Sequence, residues 1–260
     1  MRILLTGSSR GIGRAIAERL AVPGARLALC ASAPSRDHDD TTQASRANGA
    51  EVVALTGDLA DPATPARFVE GAVAAFGGLD AVISNAGIVA PGSLFDIADE
   101  AWDRVFAVNV RAPWALARAA HPHLAATRGA FVAVASMSGV EPYPGTGAYS
   151  PSKAALIMLV RTLAQEWAGS GVRANAISPG LFLSSMTAPI YADAERKAAR
   201  EKLVPMHRIG EPGRDLAGLV AFLLSPDATY MTGQNIVVDG ALLGSVQTHI
   251  AGRPKSGSAT

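Results

Sequence analysis

The sequence predicts an α/β fold, a single domain built on a doubly wound, parallel sheet of about seven strands. Short apolar runs alternate with longer amphipathic stretches along the chain, which is typical of parallel strands joined by helical crossovers. The runs are continuously apolar, as expected for strands that helices cover on both faces. A length of 260 residues suits one such domain, because single α/β domains of roughly 200–250 residues are common.

The elements follow from this alternation in chain order. Seven apolar runs have the length and composition of strands, namely residues 3–5, 26–30, 52–55, 81–83, 131–135, 173–177 and 236–238. Four longer stretches fit helices, namely residues 12–22, 64–76, 100–125 and 148–169. The pattern predicts that each strand is followed by a connection that crosses one face of the sheet.

Two segments depart from this rhythm. Residues 181–213 contain three prolines around a charged run, and we expect them to form a mobile substrate lid inserted over the sheet. Residues 251–260 are rich in Gly, Ser, Lys and Pro, which is typical of a flexible C-terminal tail. The folded domain is therefore predicted to span residues 1–250.

Charge and cysteine content argue against several classes of protein. The 23 basic and 22 acidic residues leave a net charge of +1, which provides no long-range field for nucleic acid or an anionic membrane. The single cysteine, Cys30, rules out a disulfide framework and a cysteine-based zinc site, and the five histidines do not form a metal-ligand pattern. No apolar run reaches the ~18 residues of a membrane span. We expect a cytoplasmic protein without a metal.

A glycine-rich segment at residues 6–13, TGSSRGIG, joins the first strand to the first helix. Glycines at this junction allow a tight turn and a close approach of the backbone to a pyrophosphate, which the helix N-terminus can bind. The spacing of Gly7, Gly11 and Gly13 matches neither the G-x-G-x-x-G nor the P-loop pattern. Taken alone, the segment fits equally well a turn that binds no ligand.

Polar residues also follow the third and fourth strands. Asp58 comes after the third strand, and Asn85-Ala86-Gly87 comes after the fourth. Ligands of doubly wound sheets bind outside the carboxyl ends of the strands. We therefore expect Asp58 to accept a hydrogen bond from an adenine amino group, Asn85 to tie neighbouring strand ends together, and Gly87 to leave room for a ribose. Ordinary turn chemistry is the alternative for each.

Tyr149 and Lys153 lie four residues apart at the start of a long apolar helix, so their side chains share one face. A phenol is a poor base at neutral pH, but a nearby ammonium lowers its pKa, and the pair can then exchange a proton with a substrate oxygen. Ser136 ends the fifth strand and can donate a hydrogen bond to the same oxygen, with Ser138 as a competitor. Asn109 is a polar residue among apolar ones, which makes it a further candidate for the catalytic group. A buried amide with a purely structural role is the alternative interpretation.

These motifs together resemble, in order and spacing, a short-chain dehydrogenase/reductase of the shorter, single-domain branch, which has a Rossmann-type fold. The resemblance covers residues 2–241 and includes Ser178-Pro179-Gly180 after the sixth strand. It implies hydride transfer between a nicotinamide cofactor and an alcohol or carbonyl. Tyr149 would be the general acid/base and Ser136 would polarise the substrate oxygen.

The resemblance also assigns roles to the remaining polar residues. Lys153 would bind the nicotinamide ribose and lower the Tyr149 pKa, while Asn109 would hold a water that relays protons from Lys153. Ser184 replaces the family's Thr after the Pro-Gly pair and keeps its hydroxyl. The implied cofactor contacts are Gly7, Ser9, Arg10, Gly11, Ile12, Gly13, Ser32, Asp58, Leu59, Asn85, Ala86, Gly87, Tyr149, Lys153, Pro179, Gly180, Phe182 and Ser184.

The end of the second strand favours NADP(H) over NAD(H). NAD-dependent relatives carry an Asp there for the ribose 2′-hydroxyl, whereas this chain has Ala31. Arg10, Ser32 and Arg36 can instead bind a 2′-phosphate, since an arginine forms strong charge-assisted hydrogen bonds with phosphate. NAD(H) is the alternative, with Asp37 reaching the ribose.

Substrate contacts are expected by position from Leu94, Ser138, Tyr143 and Met186. Their small or apolar character favours a neutral ketone, polyol or sugar, and hence a carbonyl reductase or alcohol dehydrogenase. A 3-oxoacyl-[acyl-carrier-protein] reductase is the alternative, although Ser170 stands where such relatives often carry a basic residue. A non-catalytic dinucleotide-binding sensor is a third alternative. It is disfavoured because such proteins usually lose the Tyr or Lys, and this chain keeps both Tyr149 and Lys153.

The resemblance further implies an oligomer, either a homotetramer or a homodimer. Two apolar stretches, residues 154–160 and 241–250, are compatible with a subunit interface.

Overall fold

All seven predicted strands are present in the structure, a computed structural model that describes residues 1–245. They are β1 (Arg2–Thr6), β2 (Arg26–Ala31), β3 (Glu51–Thr56), β4 (Ala81–Ser84), β5 (Ala130–Val134), β6 (Arg173–Pro179) and β7 (Asn235–Val238). The strands form one sheet in the order β3-β2-β1-β4-β5-β6-β7, and every neighbouring pair is parallel. The predicted fold class is confirmed.

Helices cover both faces of this sheet. They are α1 (Gly11–Leu20), α2 (Arg36–Ala47), α3 (Thr64–Phe76), α4 (Asp99–Phe106), α5 (Ala112–Thr127), α6 (Tyr149–Trp167), α7 (Ala188–Tyr191), α8 (Ala194–Leu203), α9 (Pro212–Asp215) and α10 (Ala217–Leu224). None of the helices in the described part of the chain is long and apolar enough to cross a membrane.

The core has two parts, one on each face of the sheet. Leu4 of β1 packs in a cluster with residues of α3, α5 and α6, whereas its neighbours Ile3 and Leu5 pack in a cluster with residues of α1 and α10. Successive side chains of a strand point to opposite faces, so β1 contributes to both clusters. Burial on both faces explains why the strands are continuously apolar.

Three helical features differ from the prediction. The sequence reading contained neither α2 nor α10. The single helix predicted at residues 100–125 is instead α4 and α5, joined by one turn of π-helix at Ala107–Arg111. A π-helical turn contains one residue more than an α-helical turn, and such turns are frequent at functional sites.

The predicted lid, residues 181–213, contains α7 and α8. It starts and ends close together, because Phe182 and Gly210 form an isolated parallel bridge. The predicted tail, residues 251–260, and the end of the apolar stretch at 241–250 lie outside the described residues.

The position of the ligand site follows from the order of the strands. Strand β1 lies between β2 and β4, so the chain winds first to one side of β1 and then to the other. Such a reversal leaves a crevice at the carboxyl ends of the two central strands. In this protein those ends are Thr6 and Ser84.

Candidate active site

A cleft of about 560 Å³ lies at the carboxyl ends of the central strands. All eighteen of the implied cofactor contacts from Gly7 to Ser184 line it, and so does Ser136. Asn109, Leu94, Ser138 and Tyr143 do not line it. One cleft therefore brings together the glycine-rich turn, the carboxyl ends of β2 to β6, the start of α6 and the start of the lid.

The glycine-rich turn leaves no room for side chains. Gly7 and Gly11 have φ values of 64° and 57°, a region that favours glycine. A Cβ at Gly13 would collide with the carbonyl oxygen of Gly7 and lie 2.6 Å from Asn85 Nδ2. Helix α1 begins here without a side-chain cap, so its first N–H groups point to the cleft as donors for an anion.

Asn85 joins the ends of β1 and β4. Its Nδ2 donates to the carbonyl oxygens of Thr6 (3.1 Å) and Gly7 (2.9 Å). In return, Thr6 Oγ1 accepts from the backbone N–H groups of Asn85 and Ala86, each at 3.1 Å. These four hydrogen bonds hold the glycine-rich turn and the floor of the cleft in one arrangement.

Asp58 is already paired with a basic residue. Its Oδ2 accepts from Arg104 NH2 at 3.0 Å and its Oδ1 from the Ala60 N–H at 2.9 Å. The Ala60 hydrogen bond and, to a smaller extent, Arg104 hold the Asp58 pKa below its usual value. The carboxylate expected to meet an adenine amino group is therefore ionised and oriented by α4.

The residues expected at a 2′-phosphate separate into two groups. Arg10, Ala31 and Ser32 line the cleft. The Arg36 side chain is 93% exposed at the start of α2, 3.9 Å from Asp40, and does not line the cleft. The start of α2 turns the Arg36 side chain into solvent, and its contact with a 2′-phosphate stays a prediction. Asp37, the residue proposed for binding NAD(H), does not line the cleft either.

Tyr149, Lys153 and Ser136 meet at the other end of the cleft. Tyr149 is the first residue of α6, and Lys153 follows one turn later with Nζ 5.7 Å from the centre of the Tyr149 ring. Lys153 is 3% exposed, and its Nζ donates to the carbonyl oxygen of Val134 at 2.9 Å. Ser136 lies two residues after the end of β5, and its Oγ accepts from the Ser138 N–H at 3.1 Å.

Burial shifts the pKa values of both Lys153 and Tyr149. Desolvation lowers the pKa of Lys153 to about 8. Desolvation also raises the pKa of Tyr149, and a hydrogen bond with Ser136 opposes the rise. The expected lowering of the Tyr149 pKa by Lys153 is therefore not seen, because burial dominates and the ammonium is bound to Val134. In this structure Tyr149 is a protonated phenol at neutral pH.

Asn109 lies behind these residues in the π-helical turn and is fully buried. Its Oδ1 accepts from the Ile88 N–H (2.9 Å), and its Nδ2 donates to the Ile88 carbonyl (2.9 Å) and to Ser152 Oγ (3.0 Å). Lys153 Nζ and Asn109 Oδ1 approach Gly87 from the same side. The amide thus fixes the loop after β4 against α6.

Comparison with known proteins identifies the family. The family model described as enoyl-(acyl carrier protein) reductase matches residues 7–242. Dehydrogenase/reductase SDR family member 4 from Bos taurus is 38% identical over 243 residues, which are 92% of this chain and 86% of that protein. The chain belongs to the short-chain dehydrogenase/reductase family. Proteins of this family are NAD(P)-dependent oxidoreductases that act on small molecules.

Other members of the family are nearly as similar to this short-chain dehydrogenase/reductase. The 3-oxoacyl-[acyl-carrier-protein] reductase FabG of Staphylococcus aureus is 32% identical, over 92% of this chain and 96% of that protein. A structure described as a short-chain alcohol dehydrogenase from Sinorhizobium meliloti superposes with a TM-score of 0.88 at 35% identity, over 94% and 97% of the two chains. A structure described as an NAD(P)-dependent gluconate 5-dehydrogenase from Beutenbergia cavernae, with NADP bound at low occupancy, has a TM-score of 0.86 at 35% identity, over 94% and 96%.

The start of the lid of this dehydrogenase/reductase lies against the glycine-rich turn. A Cβ at Gly11 would lie 3.4 Å from Ser184 Cβ. The hydroxyls of Ser184 and Thr187 are 3.1 Å apart, and Thr187 Oγ1 donates to the Phe182 carbonyl oxygen at 2.7 Å. The lid therefore enters the cleft as a turn held by its own hydroxyl groups.

Of the four predicted substrate residues, only Met186 lines the cleft. Ser138 is buried behind it, and its N–H donates to Ser136. Leu94 and Tyr143 are exposed on loops beyond the lining.

Sequence reasoning also missed several residues that line the cleft in this dehydrogenase/reductase, among them Arg104, Ile88, Val89 and Thr187. Arg104 carried no local signal, since it lies on a helix 46 positions from its partner Asp58. Ile88 and Val89 directly follow Asn85-Ala86-Gly87, and this adjacency was the available signal.

Proposed function

We propose that the protein transfers a hydride between NADP(H) and the carbonyl or secondary alcohol carbon of a neutral ketone, polyol or sugar, as a carbonyl reductase or alcohol dehydrogenase. The observation that carries this proposal is the meeting of Tyr149, Ser136 and Lys153 at one end of a cleft. The same cleft contains the glycine-rich turn and the uncapped start of α1.

The residues of the cleft fit a dinucleotide. The close approach of Gly7 and Gly13 leaves backbone N–H groups for a pyrophosphate. Arg10 and Ser32 would meet the adenosine ribose and its 2′-phosphate, and Lys153 the nicotinamide ribose. When bound, NADPH supplies the hydride for reduction of the carbonyl carbon.

The protein's own residues would handle the carbonyl oxygen. Tyr149 would donate its hydroxyl proton to that oxygen, which suits a phenol whose pKa burial has raised. Ser136 would hydrogen-bond to the same oxygen and stabilise its developing negative charge. Lys153, with a pKa of about 8, would keep a positive charge beside the site at neutral pH.

The Tyr149→Phe variant tests the chemistry. It keeps the ring but removes the proton donor, so we expect kcat for ketone reduction to fall about 100-fold or more, with NADPH affinity kept within a few-fold in a fluorescence titration. Tyr230→Phe is the matched control, because Tyr230 is an exposed phenol that does not line the cleft. Full turnover by Tyr149→Phe would refute the mechanism.

The cofactor preference rests on Arg10. Losing a charge-assisted hydrogen bond to the 2′-phosphate should weaken NADPH binding by about tenfold in the Arg10→Ala variant, while NADH binding changes little. Arg19→Ala is the control, because Arg19 is exposed in the last turn of α1 and does not line the cleft. Fluorescence titrations at matched salt would measure six dissociation constants, those of NADPH and NADH for the unmodified protein and for each variant. NADH binding as tight as NADPH to the unmodified protein would overturn the preference.

A second candidate is the reduction of a 3-oxoacyl group on an acyl carrier protein. The similarity to the Staphylococcus aureus FabG over almost its whole length favours it. Steady-state rates with acetoacetyl-carrier protein and with free ketones at equal concentration separate the two. A much higher kcat/KM for the carrier-bound substrate would make this the primary function.

A further inference from the structure

The part of the cleft near Tyr149 is poor in free charges. The charged residues that line the described cleft are Arg10, Asp58, Arg104 and Lys153. Asp58 pairs with Arg104 on the adenine side, Arg10 belongs to the glycine-rich turn, and Lys153 donates to Val134. A charged or polyhydroxylated substrate would therefore find few partners there, and a buried polar group without a partner is costly.

Several side chains that line the cleft are apolar. Ile88 and Val89 follow the fourth strand end, and Met186 enters from the lid. The hydroxyls of Ser184 and Thr187 are bonded to each other. The hydroxyls of Ser136 and Tyr149 thus remain for a single oxygen, which is the carbonyl oxygen itself.

Three segments surround the mouth of the cleft and hold one another. The loop after β4 is tied to the loop before α6, since Gly92 donates to Gly145 (3.1 Å) and Gly147 donates to Gly92 (2.9 Å). The lid reaches the same loop, because Arg200 NH2 donates to Tyr143 Oη at 3.4 Å. The mouth is therefore framed by connected loops.

Each of these segments exposes large apolar side chains. Phe95 is 95% exposed, Leu94 65%, Tyr143 49% and Met186 46%. We call these four residues the apolar rim. Exposed apolar groups mark candidate binding surfaces. These four lie on segments that contact one another, and Met186 also lines the cleft.

We propose that the substrate is an uncharged ketone with one extended apolar group, a long alkyl chain or an aryl ring, which leaves the cleft across the apolar rim. This inference rests on the proposed function and narrows its substrate class. The carbonyl would lie at Ser136 and Tyr149, and the apolar group would cover Met186, Tyr143, Leu94 and Phe95. Polyols and sugars would lack partners on this path.

A series of methyl ketones from 2-butanone to 2-decanone, assayed with NADPH, tests the inference. Burial of a CH₂ group favours binding about fourfold when complete, so on a partly open rim we expect kcat/KM to rise about two- to threefold for each added CH₂. Fructose and 5-dehydrogluconate serve as polyhydroxylated comparators and should be much poorer substrates than 2-octanone. A flat series, or a preference for either comparator, would overturn the inference.

A variant pair links the effect to the rim. Phe95→Ser should lower the ratio of kcat/KM for 2-decanone to that for 2-butanone about fivefold or more. Tyr230→Ser should leave this ratio unchanged, because Tyr230 is equally exposed but precedes β7, at the amino ends of the parallel strands, whereas the cleft lies at their carboxyl ends. An unchanged ratio in Phe95→Ser would contradict a path across Phe95.

Failure of the proposed function is recognisable separately. If no ketone is reduced, the hydride-transfer proposal fails, and ligand-observed NMR on the Tyr149→Phe variant with NADPH decides the substrate class. Binding of 2-octanone but not of fructose would still support the apolar path, whereas fructose binding or the binding of neither would overturn it.

Discussion

Lys153 combines a charge with nearly complete burial. One carbonyl oxygen, that of Val134, accepts from its ammonium group. Because burial disfavours the charged form, its pKa lies near 8 instead of the 10.5 of an exposed lysine. The folded state therefore releases this proton at lower pH than the unfolded state. At neutral pH the buried charge opposes folding while it serves the site.

The pH dependence of stability tests this view of Lys153. Between pH 8 and 10.5 the unfolded state retains the proton that the folded state has lost, so stability rises with pH. Relative to a Lys153→Met variant, the wild type should therefore gain free energy of unfolding as the pH rises from 7 to 10. Urea denaturation of both proteins at several pH values measures the difference. A constant difference would mean that the Lys153 pKa is not lowered.

Single residues differ in how well sequence predicts them. Local sequence patterns were enough to predict four residues of the site, namely Gly7, Gly13, Tyr149 and Lys153. A tight turn and an i, i+4 pair are each formed by residues only a few positions apart. Arg104 has no such local pattern, since its meaning arises from a partner 46 positions away. The direction of the Arg36 side chain, which points into solvent at the start of α2, could not be predicted from its charge.

At the scale of elements, α2 shows why pattern reading failed. Its buried face carries His38, Thr41, Thr42 and Ser45 instead of apolar residues, so no apolar stripe marks it. Thr41 Oγ1 donates to the Ser9 carbonyl oxygen and to that of Asp37. The ring nitrogens of His38, Thr42 Oγ1 and Ser45 Oγ are buried without a hydrogen-bond partner.

Replacing the buried imidazole should stabilise the protein. Burial lowers the pKa of His38, and a buried polar group without a partner costs free energy. We expect His38→Leu to raise the free energy of unfolding by about 1 kcal/mol, measured by urea denaturation at pH 7. Gln43→Leu is the control, because Gln43 is exposed on the same helix. Destabilisation by His38→Leu would show that the imidazole has an unrecognised partner.

The prediction of one helix at residues 100–125 differs from the structure at one point only, the π-helical turn at Ala107–Arg111. Apolar spacing continues through α4 and α5, and sequence gives no warning of the π-helical turn between them. The turn contains Asn109, which is satisfied by the loop after β4 and by α6. The widened turn is thus recognisable only when the packed neighbours are known.

For the whole molecule, the sheet was predictable because each strand is marked locally by an apolar run. The alternation of strands and helices then fixed a parallel sheet with crossovers. The outcome is one sheet with two core clusters and one crevice. What the sequence left open was the shape of the mouth, which depends on contacts between three loops and the lid.

Assembly is the remaining expectation at this scale. Trp114 on α5 and Met158 on α6 are 43% and 58% exposed, and we expect these outer helix faces to meet in a homodimer or homotetramer. Light scattering on the purified protein measures the mass. Met158→Asp should shift the assembly toward smaller species, whereas Met206→Asp, on an equally exposed lid methionine, should not. A monomeric wild type would refute the prediction.

The contacts of Asn85 with Thr6 and Gly7 form a seam between two parts of the chain, the part before β4 and the part from β4 onward. The segments before β4 carry Arg10, Ser32 and Asp58, which we propose for the adenosine end of a cofactor, and those from β4 onward carry the groups around Tyr149. The two parts meet through Asn85 with Thr6 and Gly7, and through the Asp58–Arg104 ion pair at 3.0 Å. A chimaera joined just before β4 could therefore acquire the coenzyme preference of one parent and the substrate range of the other, provided that both sides of this seam are retained.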